Sequence, residues 1–539
     1  MRLNDFFTPE TARRAGYIEK NGGANPFVTA LEYDSRKIRE GSLYFALPGL
    51  HADGHAFIED ALAKGAKVIV HQKKLNRADF SGVSEDTVFI RTEDARFAMS
   101  PMAASYHGFP AKKLILAGVT GTEGKSTTVY LIWQLLRLAG KKAGFISTVQ
   151  YSAGGEALWN PEHQTTPEAT IIHLHLAEML KNGAEYAVIE ASSHGLSRRT
   201  NRLGDVIFDA AVMTNVTHEH LEFHGTWEQY RDDKANLFRS LDSRAAERTG
   251  QAAANPLPFG VINADDKSAV YFASVTNQKT LMFSTGLPDS TADLRLKSID
   301  YSAGGNRYEV SAREKTFMVE DQLPGAFNAG NVLAALLVVS GLLDKPAEEL
   351  APLVSSLVPV RGRMTPVIRG QPFEVLVDYA HTPSSFQTIF PPLRARLDQS
   401  GGRIISLFGS AGERDTKKRS EQGAIAARYS DVVILADEDP RGEEPAAILE
   451  EIAAGCGNAS NSSAGRGMRR GETLFLIPDR PAAIRKAFSM ARPGDLTILL
   501  GKGHENSIIY KDHTMKYDEI AEAEKALDEL IALTKFNSD

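Results

Sequence analysis

The sequence predicts an α/β protein of three parts, each built on a mainly parallel sheet with helices against its faces. Near residue 114 an apolar run enters a glycine-rich turn and then an amphipathic stretch. Short apolar runs that end in polar clusters recur between helical segments along the rest of the chain. The length of 539 residues also exceeds what a single hydrophobic core organises, and suits about three domains.

Residues 1–110 form the first part, with Ser42–Leu47, Lys67–His71 and Thr87–Ile90 as strands and Phe57–Lys64 as a helix. Residues 111–358 form the second. Its first strand runs from Leu114, and the helix that opens at Lys125 reaches about Gly140. Strands follow at Lys142–Ile146, Tyr186–Ile189, Phe208–Met213 and Gly260–Ile262. Parallel strands of this kind present their chemistry at their C-terminal ends. The apolar run Val332–Leu343, broken by Ser340 and Gly341, is too short to span a bilayer and reads as a buried helix. In the third part, residues 359–539, the strands Glu374–Val377, Arg403–Leu407, Val432–Leu435 and Leu496–Leu500 again alternate with helices. The Gly/Ser/Asn-rich stretch 455–467 reads as a surface loop.

Composition narrows the function. Sixty-one Lys and Arg against 68 Asp and Glu leave a net charge of −7 and no basic stripe, so nucleic acid is not an expected partner. The single cysteine, Cys456, excludes a disulfide framework within the chain and suits a reducing cytoplasm. The N-terminal MRLNDFFTPETARR lacks the apolar core of a signal peptide, and no membrane insertion is expected.

The turn Gly118-Val-Thr-Gly121-Thr122-Glu123-Gly124-Lys125-Ser126-Thr127 is how a chain cradles a nucleoside triphosphate. Glycines let backbone N–H groups close on phosphate oxygens, the lysine offsets charge, and a hydroxyl reaches Mg²⁺. Valine at 119 shortens the usual spacing. Three clusters follow at or beyond strand ends: Glu190-Ala-Ser-Ser-His194, Thr214-Asn-Val-Thr-His218-Glu-His220-Leu-Glu-Phe-His224, and Tyr230-Arg-Asp-Asp-Lys234. Singly, each has an ordinary reading as a cap, an ion pair or a solvated helix face. Together, behind such a loop, they suit Mg²⁺-assisted phosphoryl transfer.

With these residues the chain resembles the Mur ligases. Within them it is most similar to the enzymes that join the third amino acid to UDP-N-acetylmuramoyl-L-alanyl-D-glutamate. The likeness extends to Tyr33-Asp-Ser35-Arg-Lys and Gly41–Gly49 in the first part, and to Thr165-Thr166-Pro, Asn263-Ala-Asp-Asp and Leu323–Asn331 in the second. In the third it covers Gly362-Arg363-Met, Asp378–Pro383, Phe408–Asp415 and Gly501-Lys-Gly-His-Glu505. The resemblance implies an N-terminal UDP-binding domain, a central P-loop ATPase-like doubly wound domain and a C-terminal Rossmann-like domain.

It also implies roles. Lys125 and the loop amides would bind the β- and γ-phosphates, with Ser126 on one Mg²⁺. Glu190 and His220 would hold a second, and Lys234 would be carbamylated by CO₂ to act as a further ligand. Asn263, Asn328, Arg363 and Asp378 would reach the rest of ATP, and a site split between domains would close on nucleotide binding. Ser35, Thr165, Thr166, Ser192 and Arg198 would contact the UDP-muramoyl dipeptide. Arg414, Glu438, Asp439, Pro440, Arg441, Gly501 and Glu505 would receive a free diamino acid. A cytoplasmic monomer is expected.

The chain departs from the family pattern at several points. Glu123 stands where the loop usually has Asn, Glu219 precedes His220 in place of Asp, and Thr200 replaces an arginine that Arg198, Arg199 or Arg202 would have to supply. Enzymes that add meso-diaminopimelate carry Asp-Asn-Pro-Arg where this chain has Glu438-Asp439-Pro440-Arg441. Asp439 favours a free ammonium, as in L-lysine or L-ornithine, whereas Arg441 suits a second carboxylate; Asp439 pairing with Arg441 is the plainer alternative. The reading leans to L-lysine or L-ornithine. Two rivals stand beside it, a ligase like folylpolyglutamate synthetase and a catalytically impaired Mur-like binding protein.

Overall fold

Parallel pairing of the apolar runs organises each part. The computed structural model describes residues 1–49, 52–81, 83–161, 164–217, 221–248, 257–286, 291–302, 305–313, 315–325, 328–457 and 468–536. They form two compact units, one of Met1–Ile299, Tyr308–Glu320 and Ala329–Leu357, the other of Asp300–Arg307, Asp321–Asn328 and Val358–Asp539.

The first unit opens with a five-stranded sheet in the order Tyr17–Asn21, Val88–Thr92, Val68–His71, Ser42–Phe45, Ala30–Glu32, parallel except at its first strand. Both faces are apolar, as a covered parallel sheet requires. Phe45, Val70 and Ile90 pack with Ala98 and Met102 of the helix Ala95–Tyr106, while Tyr44, Ile69 and Phe89 pack with Ile58 and Leu62 on the other side. In the same unit a larger sheet sets Ala143–Ile146, Tyr186–Glu190, Ile115–Thr120, Ala210–Met213, Phe259–Asn263 and Lys279–Ser284 side by side and parallel. Successive strands leave Ile115–Thr120 in opposite directions. A crevice therefore opens at its C-terminal end, where such sheets bind ligands.

The second unit carries a six-stranded sheet in the order Thr365–Pro366, Glu374–Asp378, Leu496–Leu500, Ile404–Phe408, Val432–Leu435, Leu474–Leu476, antiparallel only at its first pair. Leu376, Phe408 and Leu435 bury one face under helices Pro383–Ser400, Lys417–Tyr429 and Pro445–Gly457. Val377, Leu407 and Ile434 bury the other under Arg480–Met490 and Glu519–Phe536.

Each interior strand expected from the sequence is present, within two residues at its ends. Val332–Leu343 lies inside a longer helix, Asn328–Leu343, with Val332–Leu336 fully buried. No single helix among the described residues is long and apolar enough to cross a membrane. Of the expected surface loop 455–467, residues 458–467 lie outside the described residues.

Candidate active site

The phosphate loop joins the strand Ile115–Thr120 to the helix Lys125–Leu138. Its glycines are sterically required. Gly124 caps the helix at φ +80° with an added Cβ only 2.6 Å from Asn331 Oδ1, and a Cβ on Gly121 would fall 1.9 Å from Thr214 Oγ1. Asn215 pins the turn: its Oδ1 accepts from Glu123 N–H (2.9 Å) and Thr122 N–H (3.2 Å), and its backbone carbonyl accepts from Thr122 N–H at 2.8 Å. Thr214 Oγ1 donates to Glu123 O at 2.6 Å, so both backbone groups of Glu123 help to build the loop. Asn263 joins through its amide, which donates to Thr214 O at 2.8 Å. Lys125 Nζ folds back to Thr122 O at 2.8 Å, beside a helix N-terminus whose dipole favours phosphate.

Glu190 ends the neighbouring strand, nearly fully buried, and meets this loop directly. Its Oε1 accepts from Ser126 Oγ at 3.0 Å and its Oε2 from Thr148 N–H at 2.8 Å. A hydroxyl and a carboxylate side by side at a phosphate loop fit the oxygen-ligand chemistry of Mg²⁺. Thr166 Oγ1 donates to Glu190 O (2.8 Å) and accepts from Ser192 N–H (2.9 Å), which locks the Thr165–Thr166 loop to this strand end. Arg202 donates to Thr166 O (2.9 Å) and to Glu168 Oε1 (3.1 Å), and Arg96 reaches the same carboxylate oxygen at 2.5 Å.

Arg199 is likewise engaged, donating to Phe223 O at 2.8 Å and lying 4.7 Å over the Phe223 ring. Arg198 is exposed and, with Arg199, His224, Asp232, Asn236 and Arg239, lines a cavity of about 670 Å³. Thr200, in the place of the family arginine, bonds the turn itself through His194 O and Ser197 O.

Lys234 comes from the helix Trp227–Arg248 and is 1% exposed. Its Nζ donates to Gly121 O at 2.6 Å and lies 4.4 Å over the Tyr230 ring, whose hydroxyl is 3.1 Å from Thr122 Oγ1. The amine is thereby held against the phosphate loop. His220, with His218 and Glu219, lies outside the described residues. Ser35 sits in the first sheet's loop, where its carbonyl accepts from Lys64 Nζ at 3.0 Å, next to an Asp34 carboxyl held below its ordinary range by Arg36.

The second unit carries its own cluster at strand ends. Asp378 accepts from Ala380 N–H and Met364 N–H, each at 2.7 Å, and burial raises its pKa although Arg363 opposes this. The Arg363 guanidinium lies 4.7 Å over Tyr379. Asn328 opens its helix with its amide on Pro324 O at 2.8 Å.

Around the expected amino-acid residues the tight partner of Asp439 is Lys502. That ammonium is fully buried, 2.9 Å from Asp439 Oδ1 and 2.5 Å from Glu505 Oε2, while Arg441 stays 4.0 Å from Asp439 Oδ2. Ile509 N–H also donates to Asp439 Oδ1, at 3.0 Å. The alternative Asp439–Arg441 pairing is therefore loose, since the tight partner of Asp439 is Lys502. Glu438 is 6% exposed, its Oε2 has no hydrogen-bond partner among the described residues, and burial raises its pKa against Lys418 and Lys502. Gly501 leads into this cluster from a strand end, and Gly412 N–H ties the exposed turn of Arg414 to Asp439 O at 2.8 Å. Lys502 and Asn215 were not singled out from sequence. Both stand inside quoted motifs, but their partners lie 63 and 92 residues away.

Comparison with known proteins gives this geometry its context. Residues 27–106 match the Mur ligase family catalytic domain, 119–339 the Mur ligase middle domain and 362–503 the Mur ligase glutamate ligase domain. The chain is 50% identical to a UDP-N-acetylmuramyl-tripeptide synthetase of Treponema denticola, over 94% of this chain and 95% of that one. It is 36% identical to a UDP-N-acetylmuramoyl-L-alanyl-D-glutamate–2,6-diaminopimelate ligase of Geobacillus kaustophilus, over 94% and 96% of the two chains. A solved structure of a ligase of the latter description aligns over 94% of this chain and 96% of its own, with a TM-score of 0.59 and 28% identity. A phosphate loop faced by Glu190 and Lys234, all three domain matches in order and half-identity along the whole length lead to one conclusion: the chain belongs to the Mur ligase family, as an ATP-dependent ligase of the tripeptide-synthetase (MurE) type.

Proposed function

We propose that this enzyme joins a diamino acid to the D-glutamyl side-chain carboxylate of UDP-N-acetylmuramoyl-L-alanyl-D-glutamate, with L-lysine or L-ornithine preferred over meso-diaminopimelate. The observation that carries the reading is the Ser126–Glu190 couple set into the phosphate loop. In this reading residues 1–110 bind the UDP end, 111–358 perform the chemistry and 359–539 supply the amino acid, in a cytoplasmic monomer.

A carboxylate is a poor acyl donor because oxide is a poor leaving group. The substrate carboxylate attacks the γ-phosphorus, the bond to the ADP oxygen breaks, and an acyl phosphate forms. The amine then attacks the acyl carbon, loses a proton, and phosphate leaves as the amide forms. The Lys125 ammonium and the helix N-terminus it opens would bind the transferring phosphate, while Asn215, which holds the Thr122 and Glu123 N–H groups, keeps the turn rigid. Ser126, Glu190, His220 and Lys234 as a carbamate would hold two Mg²⁺ ions, which offset charge on the phosphates and the attacking carboxylate. Asn263, Asn328, Arg363 and Asp378 would hold the rest of the nucleotide. Thr165, Thr166, Ser192 and Ser35 would orient the UDP-linked peptide. Arg198 and Arg199 both line the cavity near Thr200, but Arg199 is engaged at Phe223 O and Arg202 at Thr166 O, which favours Arg198 for that contact.

Charge supports the amino-acid preference. Asp439 and Glu505 set two carboxylates against the single buried ammonium of Lys502, a balance that supports an added ammonium over an added carboxylate. The test is phosphate release and product formation with ATP, the UDP-dipeptide and lysine, ornithine or meso-diaminopimelate offered in parallel. Turnover with either of the first two and little with the third is expected. Preference for diaminopimelate would overturn the specificity, and absence of turnover with all three the reaction.

A further inference from the structure

A buried imidazole that the reaction does not use links two of the segments bearing its proposed groups. His224 closes the short helix Leu221–His224, four positions after His220. Its Nδ1 is 2.8 Å from Asp233 Oδ2 and its Nε2 is 3.0 Å from Ser193 Oγ. A carboxylate only accepts, so Nδ1 donates to Asp233, and Nε2 pairs with the Ser193 hydroxyl. Ser193 stands three residues beyond Glu190, and Asp233 immediately precedes Lys234.

The imidazole also meets Tyr230 edge-on at 5.2 Å, and Tyr230 is the ring beneath Lys234 that touches Thr122. Ser193, His224 and Asp233 are 2%, 6% and 5% exposed. Polar groups buried at this depth are costly unless each is satisfied, and a satisfied network holds its members in one arrangement.

We propose that His224 is a positioning residue: through Ser193 and Asp233 it fixes the distance between the Glu190 strand end and the Lys234 helix, so that both side chains address the phosphate loop together. The inference rests on the phosphoryl-transfer reading above. The fold permits it because both segments reach the loop independently, Glu190 through Ser126 and Lys234 through Gly121, and the imidazole bonds a residue of each. A shift of about 1 Å in such groups costs about 100-fold in rate.

The test compares the full-length parent with His224→Phe, which keeps a ring and loses both hydrogen bonds, Ser193→Ala, which loses one, and His224→Asn, whose amide nitrogen replaces the Nδ1 donor. For His224→Phe, kcat should fall about 100-fold while KM for ATP and for the UDP-dipeptide stays within about 3-fold. Mn²⁺ affinity in the presence of the non-hydrolysable analogue AMPPCP, read by electron paramagnetic resonance, should fall about 10-fold. Ser193→Ala should lose about 10-fold in kcat, and His224→Asn should recover part of both losses.

A folded His224→Phe enzyme with parental kcat and Mn²⁺ affinity overturns the proposal. If that variant does not fold, parental values in Ser193→Ala overturn it instead. If the parent itself does not turn over the UDP-dipeptide, the proposed reaction fails, and the Mn²⁺ titration still decides the role of His224.

Discussion

Replacing Glu190 by Gln separates folding from chemistry at this site. Glu190 accepts two hydrogen bonds, from Ser126 Oγ at 3.0 Å and Thr148 N–H at 2.8 Å. Glutamine satisfies both. Its carbonyl oxygen takes the Thr148 N–H, and its amide donates to the Ser126 hydroxyl, which rotates to accept. No buried polar atom is orphaned and volume is unchanged, so stability should move by less than about 1 kcal/mol.

The charge, however, is gone from a position 2% exposed, where a carboxylate would hold a divalent cation. Loss of several kcal/mol of charge stabilisation is then expected in the phosphoryl-transfer step. Taking about 3–4 kcal/mol, at 1.36 kcal/mol per decade, kcat should fall between about 10²- and 10³-fold. The assay is phosphate release at saturating ATP and UDP-dipeptide, with a thermal melt of the same preparation. A melt within about 2 °C of the parent and the stated loss in kcat would agree with this account. Near-parental kcat would refute the assignment of Glu190, and a large drop in melting temperature would refute the hydrogen-bond argument.

Four further outcomes are expected. Depleting CO₂ and bicarbonate should depress activity at neutral pH and returning them should restore it; indifference, together with parental activity of Lys234→Ala, would remove the carbamate. Asp439→Asn keeps both of its hydrogen bonds but removes a charge, so kcat/KM for lysine or ornithine should fall about 10-fold without gain of diaminopimelate, as parallel kinetics would show. Arg480 and Glu519 are fully buried with Nη2 and Oε1 2.6 Å apart, and Glu519→Gln should cost about 3–5 kcal/mol, visible as a lowered melting temperature.

The fourth concerns acid. Burial lowers the pKa of His107 to about 4 and that of His173 to about 3, against 6.5 when exposed. Both imidazoles take up protons less readily folded than unfolded. Their contribution, on the order of 3 kcal/mol for His107, is complete above pH 6.5 and is lost as pH falls through about 4. Melts from pH 7 to 4 should show this slope, and the double variant His107→Gln/His173→Gln should flatten it; an equal slope would count against the assignment.

What could be read from the amino acids alone follows locality. The loop Gly121–Thr127, the interior strands and the Lys125 helix were visible because glycine spacing, apolar runs and capping act over a few residues. Glu190 and Lys234 stood out only as polar residues at or beyond strand ends, and the fold then brought both against Gly121–Ser126. The edge strand Tyr17–Asn21 and the interior strand Lys279–Ser284 escaped notice because they are largely exposed or half-buried and carry no continuous apolar run. Charge pairing was least legible. A lysine between two glycines in Gly501-Lys-Gly503 says nothing of burial, and its claim on Asp439 depends on a tertiary contact that spacing cannot encode. The same holds for Asn215, whose role is defined by the backbone it clamps.

Glu168 is answered by guanidinium groups from both directions, Arg96 on the helix Ala95–Tyr106 and Arg202 beyond the Thr165–Thr166 loop. That carboxylate limits how this enzyme could be recombined with its relatives. A chimera joined near residue 110 that brought in another residue for Arg96 would strand half of the countercharge of a side chain only 3% exposed, two positions from the threonine that holds Glu190 in place. Residues 1–110 and the segments around the phosphate loop must therefore be inherited, or exchanged, with Arg96 and Glu168 as a matched pair.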